Sequence, residues 1–139
     1  MSSVLVVIPT YNESESIKSL LTRLDASRKV ISNSFVIDIL LVDDSSPDKT
    51  AQIASAMNLS NFSVLNRSQK SGLGPAYLAG FKQGLIGDYQ YFVEMDADLS
   101  HQPEQLVDLL KAASANSLIA FNGSGNPLSP INPIASANA

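Results

Sequence analysis

The sequence predicts an α/β domain in which a mostly parallel sheet is layered with helices. Short apolar runs alternate with segments of helical periodicity, and this alternation is typical of strand-helix-strand units with right-handed crossovers. The composition supports a packed core, since 45% of the 139 residues are hydrophobic and only 16% are charged. We therefore expect one folded domain over residues 1–121, followed by a tail over residues 122–139.

Four short apolar runs predict the strands. The runs are rich in Val, Ile, Leu and aromatic residues, a composition that suits strands buried on both faces of a parallel sheet. They occupy residues 4–8, 35–42, 62–65 and 91–95. A further run at residues 118–121 predicts a fifth, shorter strand.

The first helix is predicted from the spacing of its apolar residues. They recur at the i, i+3, i+4 and i+7 positions of an amphipathic helix, namely Ile17, Leu20, Leu21 and Leu24. Asn12 is the predicted N-cap, because Glu15 follows it three residues later as in a capping box.

Three further helices are predicted from breakers and apolar spacing. Ser46 and Pro47 are typical of an N-cap and a first helical residue, so we expect the second helix to start there and to run through Met57. The third helix should follow Gly74-Pro75, and the fourth should start at Pro103. Their apolar positions are Tyr77, Phe81 and Leu85 in the third helix and Leu106, Leu109, Leu110 and Ala113 in the fourth.

The composition excludes several classes of function. A net charge of -4 and a pI near 4.7 argue against a nucleic-acid surface, which would need clustered Lys and Arg. With no cysteine and one histidine, disulfides and thiolate metal sites are excluded. Only hard cations with oxygen ligands remain, such as Mg²⁺, Mn²⁺ or Ca²⁺.

The sequence predicts neither a signal peptide nor a membrane span. The apolar run in "MSSVLVVIPTYNE" has no basic region before it and no cleavage site after it, so it is typical of a strand. No apolar run approaches the ~20 residues needed to cross a bilayer. We therefore expect a cytoplasmic protein that is soluble or, at most, peripheral to a membrane.

The last part of the chain has a different composition. No charged residue follows Lys111, and residues 122–139 consist of Asn, Ser, Pro, Gly and Ala with scattered Ile and Leu. Such a segment has too many breakers for a helix or a central strand. We expect it to be irregular or disordered.

The distinctive polar residues all follow the predicted strands. They fall at residues 9–13, 43–46, 67–74 and 96–98, directly after strands one to four. Ligands of open α/β sheets bind outside the carboxyl ends of the strands. We therefore expect these four loops to meet in one crevice.

Two aspartates one residue apart follow the fourth predicted strand. Asp96 and Asp98 could share a divalent cation with a diphosphate, since Mg²⁺ and Mn²⁺ usually take one or two protein carboxylates together with substrate phosphates. An Asp-x-Asp pair is also common in turns, where aspartates cap the following helix. The convergence of four loops favours the metal site.

Two other loops carry residues suited to a nucleotide. Asp44 could accept hydrogen bonds from ribose hydroxyls or a base, and we favour this role less for Asp43. Arg67, Lys70 and Gly72 precede a helix N-terminus, where anions bind. An ordinary turn and an ordinary solvated loop are the competing interpretations of these two segments.

Four motifs, in order and in spacing, resemble those of the family 2 inverting glycosyltransferases. The motifs are "VVIPTYNE", "LLVDDSSPDKT", "NRSQKSGLGPAYLAGF" and "VEMDADLSHQPEQL". Within that family they look most like polyprenol-phosphate mannose synthases of the dolichol-phosphate mannose synthase type. The resemblance covers residues 4–110, and four ordered motifs make it specific.

The resemblance implies a Rossmann-like GT-A fold and the transfer of mannose from GDP-mannose to a polyprenyl phosphate with Mg²⁺ or Mn²⁺, at the inner face of a membrane. It implies that Asp96 and Asp98 are the catalytic residues and metal ligands, with Asp98 as the main ligand and Asp96 also near the ribose. The residues implied to bind the donor nucleotide are Pro9, Tyr11, Glu13, Asp44, Arg67, Lys70, Gly72 and Asp96.

The sequence departs from this family at a few positions. Lys49 stands where the family usually has Gly, a change that we expect to be tolerated, and Ser100 stands where some members have a Gln near the metal. Gly125 replaces the arginine of the family motif "GSRY", and the arginines that grip the acceptor phosphate are missing. We therefore expect the chain to be the donor-binding half of such an enzyme. Self-association or a partner chain that supplies the other half would be consistent with this expectation.

Two other classes of function fit parts of the sequence. A non-catalytic nucleotide-sugar-binding module would keep the donor loops and lack the acceptor residues. An aspartate-based phosphotransfer domain would use a strand-end aspartate such as that in "DADLS". Against the second class, this motif follows the fourth strand and leaves too little chain for the later loops of such a domain.

Overall fold

The structure is a computed structural model that describes residues 1–68, 70, 72–100 and 102–115. Strands and helices alternate strictly over these residues, which confirms the predicted α/β class. Their bounds are β1 (Ser2–Thr10), α1 (Ile17–Val30), β2 (Phe35–Asp43), α2 (Thr50–Ser55), β3 (Phe62–Asn66), α3 (Leu73–Gly84), β4 (Tyr91–Glu94) and α4 (Gln105–Ala115).

The strands form one parallel sheet in the order β3-β2-β1-β4. β1 lies between two neighbours, with Val4 beside Ile37 of β2 on one side and Tyr91 of β4 on the other. Because the strands are parallel, their carboxyl ends lie along one edge of the sheet. The polar loops that follow the strands therefore leave the sheet on the same side, as the crevice expected from the sequence requires.

A core on each face of the sheet explains why β1 is apolar at successive positions. Val4, Val6 and Ile8 enter the larger core, which α1, α2 and α4 cover. Leu5 and Val7 enter the smaller core, which α3 covers. A strand covered on both faces reads as a continuous apolar run because neither face meets water.

Two glycines let α3 lie close against the sheet. A Cβ added to Gly80 would lie 2.5 Å from Val7 Cγ1, and a Cβ added to Gly84 would lie 2.5 Å from Leu5 Cδ2. Such distances leave no room for a side chain in a close-packed interior. The spacing of four residues places both glycines on the face of α3 that meets the sheet.

The predicted N-cap of α1 is wrong. The helix begins at Ile17, and Ser16 stands at its N-cap position. Asn12 instead has a left-handed backbone (φ 55°), and its N–H donates to Ser46 Oγ, so the chain turns there before the helix starts. The apolar stripe of the helix is confirmed, since its four predicted residues are fully buried.

The predicted start of α2 at Ser46 is also wrong. The helix spans Thr50–Ser55, because Lys49 has a left-handed backbone (φ 68°) that cannot belong to the helix. Asp48 Oδ1 accepts hydrogen bonds from the N–H and the hydroxyl of Thr50, at 3.1 and 2.5 Å. Asp48 therefore satisfies an amide at the start of the helix, which is the role that the sequence predicts for Ser46.

Three smaller differences concern single elements. α3 begins at Leu73, so Gly74 and Pro75 lie in its first turn. α4 begins at Gln105, after a turn at Pro103. β3 is half-buried rather than buried on both faces, and it lies at one end of the strand order.

Two predicted segments cannot be compared with the structure. The strand at residues 118–121 and the irregular tail at residues 122–139 lie outside the described residues. Among the helices of the described part of the chain, none has the length and apolar character needed to span a membrane.

Candidate functional site

The loop after β1 is held by the loop after β2 through three successive backbone amides. In each case a side chain of the motif "DDSSPDKT" accepts the hydrogen bond. The donor and acceptor atoms, 3.0 Å apart in each pair, are Asn12 N and Ser46 Oγ, Glu13 N and Thr50 Oγ1, and Ser14 N and Asp48 Oδ2. We call these three bonds the amide ladder.

Asp43 is a buried anchor for the same two loops. Its carboxylate accepts hydrogen bonds from Thr10 Oγ1 at 2.6 Å, from Ser46 N at 2.9 Å and from Ser46 Oγ at 2.7 Å. Both carboxylate oxygens are thus engaged by groups of the protein itself. Asp43 has a structural role, which agrees with the preference for Asp44 as the ligand-binding residue.

A cavity of about 240 Å³ lies between the loop after β1 and the start of α3. Six of the residues that the sequence motifs assign to the donor nucleotide line it, and Arg67 and Asp96 do not. The full lining is Pro9, Thr10, Tyr11, Glu13, Asp44, Lys70, Gly72, Leu73 and Ala76. Three segments that are far apart in the chain, one at or after the end of each of the first three strands, therefore meet in this cavity, and residues 96–98 do not line it.

Two cations are held against residues that line this cavity. Arg67 Nη1 lies 3.5 Å from Oδ1 of the buried Asp44 carboxylate. Lys70 Nζ lies 4.5 Å from the centre of the Tyr11 ring, within the range of a cation-π contact. Positive charge is thus concentrated beside the start of α3, where an anion would also meet helix N–H groups.

Asp96 is held by a tyrosine from α3. Tyr77 donates its hydroxyl hydrogen to Asp96 Oδ1 across 2.8 Å. Burial raises the pKa of Tyr77, and the hydrogen bond to the negative Asp96 raises it further, so the hydroxyl stays protonated and keeps donating. The bond joins the helix that borders the cavity to the acidic loop, by which we mean residues 96–98.

The rest of the acidic loop is held at two further points. Ser100 donates to Asp98 Oδ1 through its N–H at 2.9 Å and its hydroxyl at 2.5 Å. Ser16, at the N-cap position of α1, donates from Oγ to the Ala97 carbonyl at 2.7 Å. The acidic loop is therefore fixed by contacts from both faces of the sheet, through α1 on one face and α3 on the other.

Glu13 lies between the first cavity and a second, more open one of about 690 Å³. The second cavity is lined in part by Ser14, Asp48 and Asp98. Burial raises the pKa of Glu13 above its ordinary value, and the negative charge of Asp98 adds to the increase. The contribution from Asp98 reflects a negative potential around Glu13, which attracts cations.

Three of the loops at this edge contain a residue with a left-handed backbone. These residues are Asn12, Ser45 and Leu99, with φ values of 55°, 55° and 64°. Such conformations cost non-glycine residues roughly 1–2 kcal/mol each, and they cluster at functional sites. They follow β1, β2 and β4 at this edge, and two others, Asn58 and Asn61, lie before β3 at the opposite edge.

The acidic loop suits a hard divalent cation that is shared with a ligand. In the described part of the chain, no three His, Cys, Asp or Glu side chains are arranged to hold a metal ion. Asp96 and Asp98 supply carboxylate oxygens, and Mg²⁺ or Mn²⁺ commonly takes one or two such ligands with substrate phosphates completing its shell. The donor set therefore fits a cation bound together with a diphosphate.

Sequence analysis alone misses Tyr77, Ser16 and Thr50 as members of the site. In the sequence, Tyr77 has the spacing of an apolar position of α3. A half-buried tyrosine hydroxyl needs a hydrogen-bond partner, however, and this need is a signal that points to a polar contact. Ser16 and Thr50 give no such signal, because small hydroxyl residues are common near helix starts.

The sequence is similar to that of two curated polyprenol-phosphate enzymes. It is 49% identical over 118 residues to the undecaprenyl-phosphate mannosyltransferase of Micrococcus luteus, covering 84% of this chain and 46% of that protein. It is 44% identical over 120 residues to the polyprenol monophosphomannose synthase of Mycolicibacterium smegmatis, covering 84% of this chain and 43% of that protein. The chain thus spans less than half the length of these relatives.

The fold is similar to that of a solved mannosyltransferase from Pyrobaculum calidifontis in complex with GDP-Man and Mn²⁺. The TM-score is 0.68 at 19% identity, over 84% of this chain and 33% of that chain. This likeness confirms the GT-A fold that the sequence motifs imply. Residues 5–125 match the family described as glycosyl transferase family 2. The chain therefore belongs to glycosyltransferase family 2.

Proposed function

We propose that the chain is the donor-binding part of a polyprenyl-phosphate mannosyltransferase that uses GDP-mannose together with Mg²⁺ or Mn²⁺. The observation that carries the proposal is the cavity at the carboxyl edge of the sheet, where six residues of the family motifs meet. Family membership and the activities named for the relatives support it. Membership of this family argues against the phosphotransfer alternative.

The proposed donor site divides between the two sides of the cavity. The nucleoside would contact Pro9, Tyr11, Glu13 and Asp44, where an aromatic ring and a carboxylate suit a base and ribose hydroxyls. The diphosphate and sugar would lie beside Arg67, Lys70 and Gly72. Gly72 has φ 97°, a conformation that side chains rarely adopt, and it allows the backbone before α3 to approach a phosphate closely.

Asp96 and Asp98 would hold the divalent cation. When bound, such an ion supplies positive charge that stabilises the leaving diphosphate. Asp98, which is exposed, would be the main ligand, and Asp96 would lie near both the ion and the ribose.

The proposed reaction is a single displacement at C1 of mannose, with inversion. An oxygen of the acceptor phosphate forms a bond to C1 while the bond between C1 and the β-phosphate oxygen breaks, and GDP leaves as the anion. The acceptor phosphate is already an anion at neutral pH, because the second pKa of such groups is roughly 6. A strong general base is therefore unnecessary, and the chain acts by holding the donor in line.

We assign donor binding to residues 1–121, with the acceptor lipid bound outside this unit. The acceptor would be a polyprenyl phosphate, and we propose that transfer takes place at the inner face of a membrane. A second copy of the chain or a partner chain could complete the acceptor side.

The first experiment is a calorimetric titration of the 139-residue chain with GDP-mannose, with and without Mn²⁺. We expect Mn²⁺-dependent binding that Asp98→Ala abolishes. Asp108→Ala is the matched control, because it removes an exposed aspartate from α4. From the sequence, Glu104→Ala would also be expected to change donor binding little. It is less suitable as a control because Glu104 pairs with Arg23 at 2.5 Å.

The possible results separate the parts of the proposal. Equal losses in Asp98→Ala and Asp108→Ala would contradict the site assignment, and binding that is independent of Mn²⁺ would contradict the role of the metal. No binding by a folded chain would contradict the donor site itself. Mannose transfer to a polyprenyl phosphate by the same preparation distinguishes an enzyme from a non-catalytic nucleotide-sugar-binding module.

A further inference from the structure

We propose that Tyr77 is a positioning residue for the acidic loop, whose hydroxyl holds the Asp96 carboxylate in the orientation that binds the cation. The inference rests on the proposed function, because it concerns the same site. It assigns a role to a residue of α3 that the family motifs leave as part of the helix.

The hydrogen bond comes from a ring that is itself fixed. The Tyr77 ring is stacked on Phe81 with centroids 6.1 Å apart, and Phe81 meets the edge of Phe92 with centroids 6.0 Å apart. Phe81 and Phe92 are buried in the smaller core. We call the packed rings of Tyr77, Phe81 and Phe92 the aromatic row. The position of the Tyr77 hydroxyl is therefore restricted by the packing of its ring in this row.

The close approach of α3 to the sheet determines that the hydroxyl reaches Asp96. Gly80 lies one turn after Tyr77, and a Cβ at that position would collide with Val7. The absence of a side chain lets the helix axis come near enough for the 2.8 Å bond between Tyr77 and Asp96 to form. Helix packing and the geometry of the acidic loop are thus mechanically linked.

The hydrogen bond from Tyr77 restricts rotation of the Asp96 carboxylate about its χ2 torsion. The χ2 torsion of aspartate is broad, so an unheld carboxylate samples many orientations. A bond to Oδ1 selects one of them while the negative charge remains. Removing such a supporting hydrogen bond typically lowers metal affinity about 10–100-fold.

The protein contains a matched control for this bond. Tyr89 packs against the same aromatic row, with its ring 5.9 Å from that of Phe92, and its hydroxyl donates to Asp38 Oδ2 at 2.5 Å. Asp38 lies near the start of β2 and is no part of the site. Tyr77→Phe and Tyr89→Phe therefore each remove one tyrosine-carboxylate bond and keep the ring.

The test is calorimetric titration of the 139-residue chain and both variants with GDP, with and without Mn²⁺. We expect Tyr77→Phe to lower the affinity for GDP in the presence of Mn²⁺ about tenfold and to leave the affinity without Mn²⁺ unchanged. Tyr89→Phe should change neither value. Thermal unfolding followed by circular dichroism checks that both variants are folded.

Each other result has a definite meaning. If Tyr77→Phe lowered the affinity equally with and without Mn²⁺, the residue would have only a structural role and the inference would be wrong. Unchanged affinity in Tyr77→Phe, or equal losses in the two variants, would also overturn it. If the unsubstituted chain bound no GDP under either condition, the proposed function itself would fail.

Discussion

Lys49 has a left-handed backbone directly before α2, with φ 68° and ψ 29°. A non-glycine residue pays roughly 1–2 kcal/mol for this conformation, whereas glycine adopts it freely but loses more entropy on folding. We therefore expect Lys49→Gly to raise the free energy of unfolding by about 0.5–1 kcal/mol. Urea denaturation at neutral pH measures the change.

Lys18 provides the matched control for this substitution. It is exposed in α1, where the backbone is helical, so Lys18→Gly should lower the free energy of unfolding by about 1 kcal/mol. The same chemical change is thus expected to have opposite signs at the two positions. Equal signs would show that the backbone at Lys49 is not strained.

At the scale of single residues, the sequence indicates which residues of the candidate site could bind a ligand. It does not indicate the hydrogen bonds that hold those residues in place. Asp44, Asp96 and Asp98 can be recognised because carboxylates after apolar strands are few and conspicuous. The hydrogen bonds that hold the acidic loop cannot be recognised in this way, since Tyr77 and Asp96 are 19 residues apart and Ser16 and Ala97 are 81 residues apart. Such pairs depend on how the helices pack, which no local pattern records.

Among the elements, α1 is attached to the sheet by a buried arginine near its C-terminal end. The Arg28 guanidinium donates to the carbonyl oxygens of Ile37, Ser60 and Asn61 and forms a salt bridge with Asp25 at 2.8 Å. These carbonyls belong to β2 and to the turn before β3. One side chain therefore connects three separate segments at the edge of the sheet opposite the candidate site.

We expect Arg28→Ala to lower the free energy of unfolding by about 3 kcal/mol or more, measured by urea denaturation. The reason is that the substitution removes a charged donor from three carbonyl oxygens and one of the two cations paired with Asp25. Lys29→Ala removes the other cation paired with Asp25, but Lys29 is 75% exposed, so its effect should be below about 1 kcal/mol. Similar losses in the two variants would contradict this difference.

Element types are predictable here, and element starts are not. Apolar periodicity depends on burial, and burial decides whether a segment is a strand or a helix, so the predicted strands and helices over the described residues are all present. The starts of α1 and α2 differ from prediction because their polar residues bond across the two loops. Asn12 and Ser46 join each other through the amide ladder and cap no helix.

For the molecule as a whole, we expect Asp25 to contribute to acid unfolding. Burial alone would raise the pKa of the Asp25 carboxyl, but hydrogen bonds from Lys29 and Arg28 and their positive charges outweigh burial and hold the pKa below its ordinary value. The unfolded chain, where this pKa is about 3.9, then binds more protons than the folded one at acid pH. The stabilisation is complete above the unfolded pKa and is lost as the pH falls through the lower folded pKa.

The free energy of unfolding of the unsubstituted chain and of Asp25→Asn, measured by urea denaturation from pH 7 down to pH 2, tests this expectation. Asp25→Asn should be the less stable protein at pH 7, and the difference should shrink below about pH 4, where the carboxyl of the unsubstituted chain becomes protonated. A difference that stayed constant over the whole range would show that the pKa of Asp25 is not lowered.

The order of the strands is the feature of the whole molecule that the sequence leaves open. The composition of β1, β2 and β4 indicates burial, but it does not say which strand is central or that β3 lies at the edge. The more polar composition of β3 is consistent with an edge in retrospect. Even so, parallel pairing alone is enough to bring the loops to one side, so the place of the candidate site can be predicted without the strand order.

The amide ladder makes the loops after β1 and β2 a single rigid body. Fixing the backbone of a free loop on ligand binding costs roughly 1–2 kcal/mol per residue in entropy. Here that entropy is lost when the chain folds, so the proposed nucleoside would meet loops that are already ordered. Little of the binding free energy would then be lost in ordering the protein.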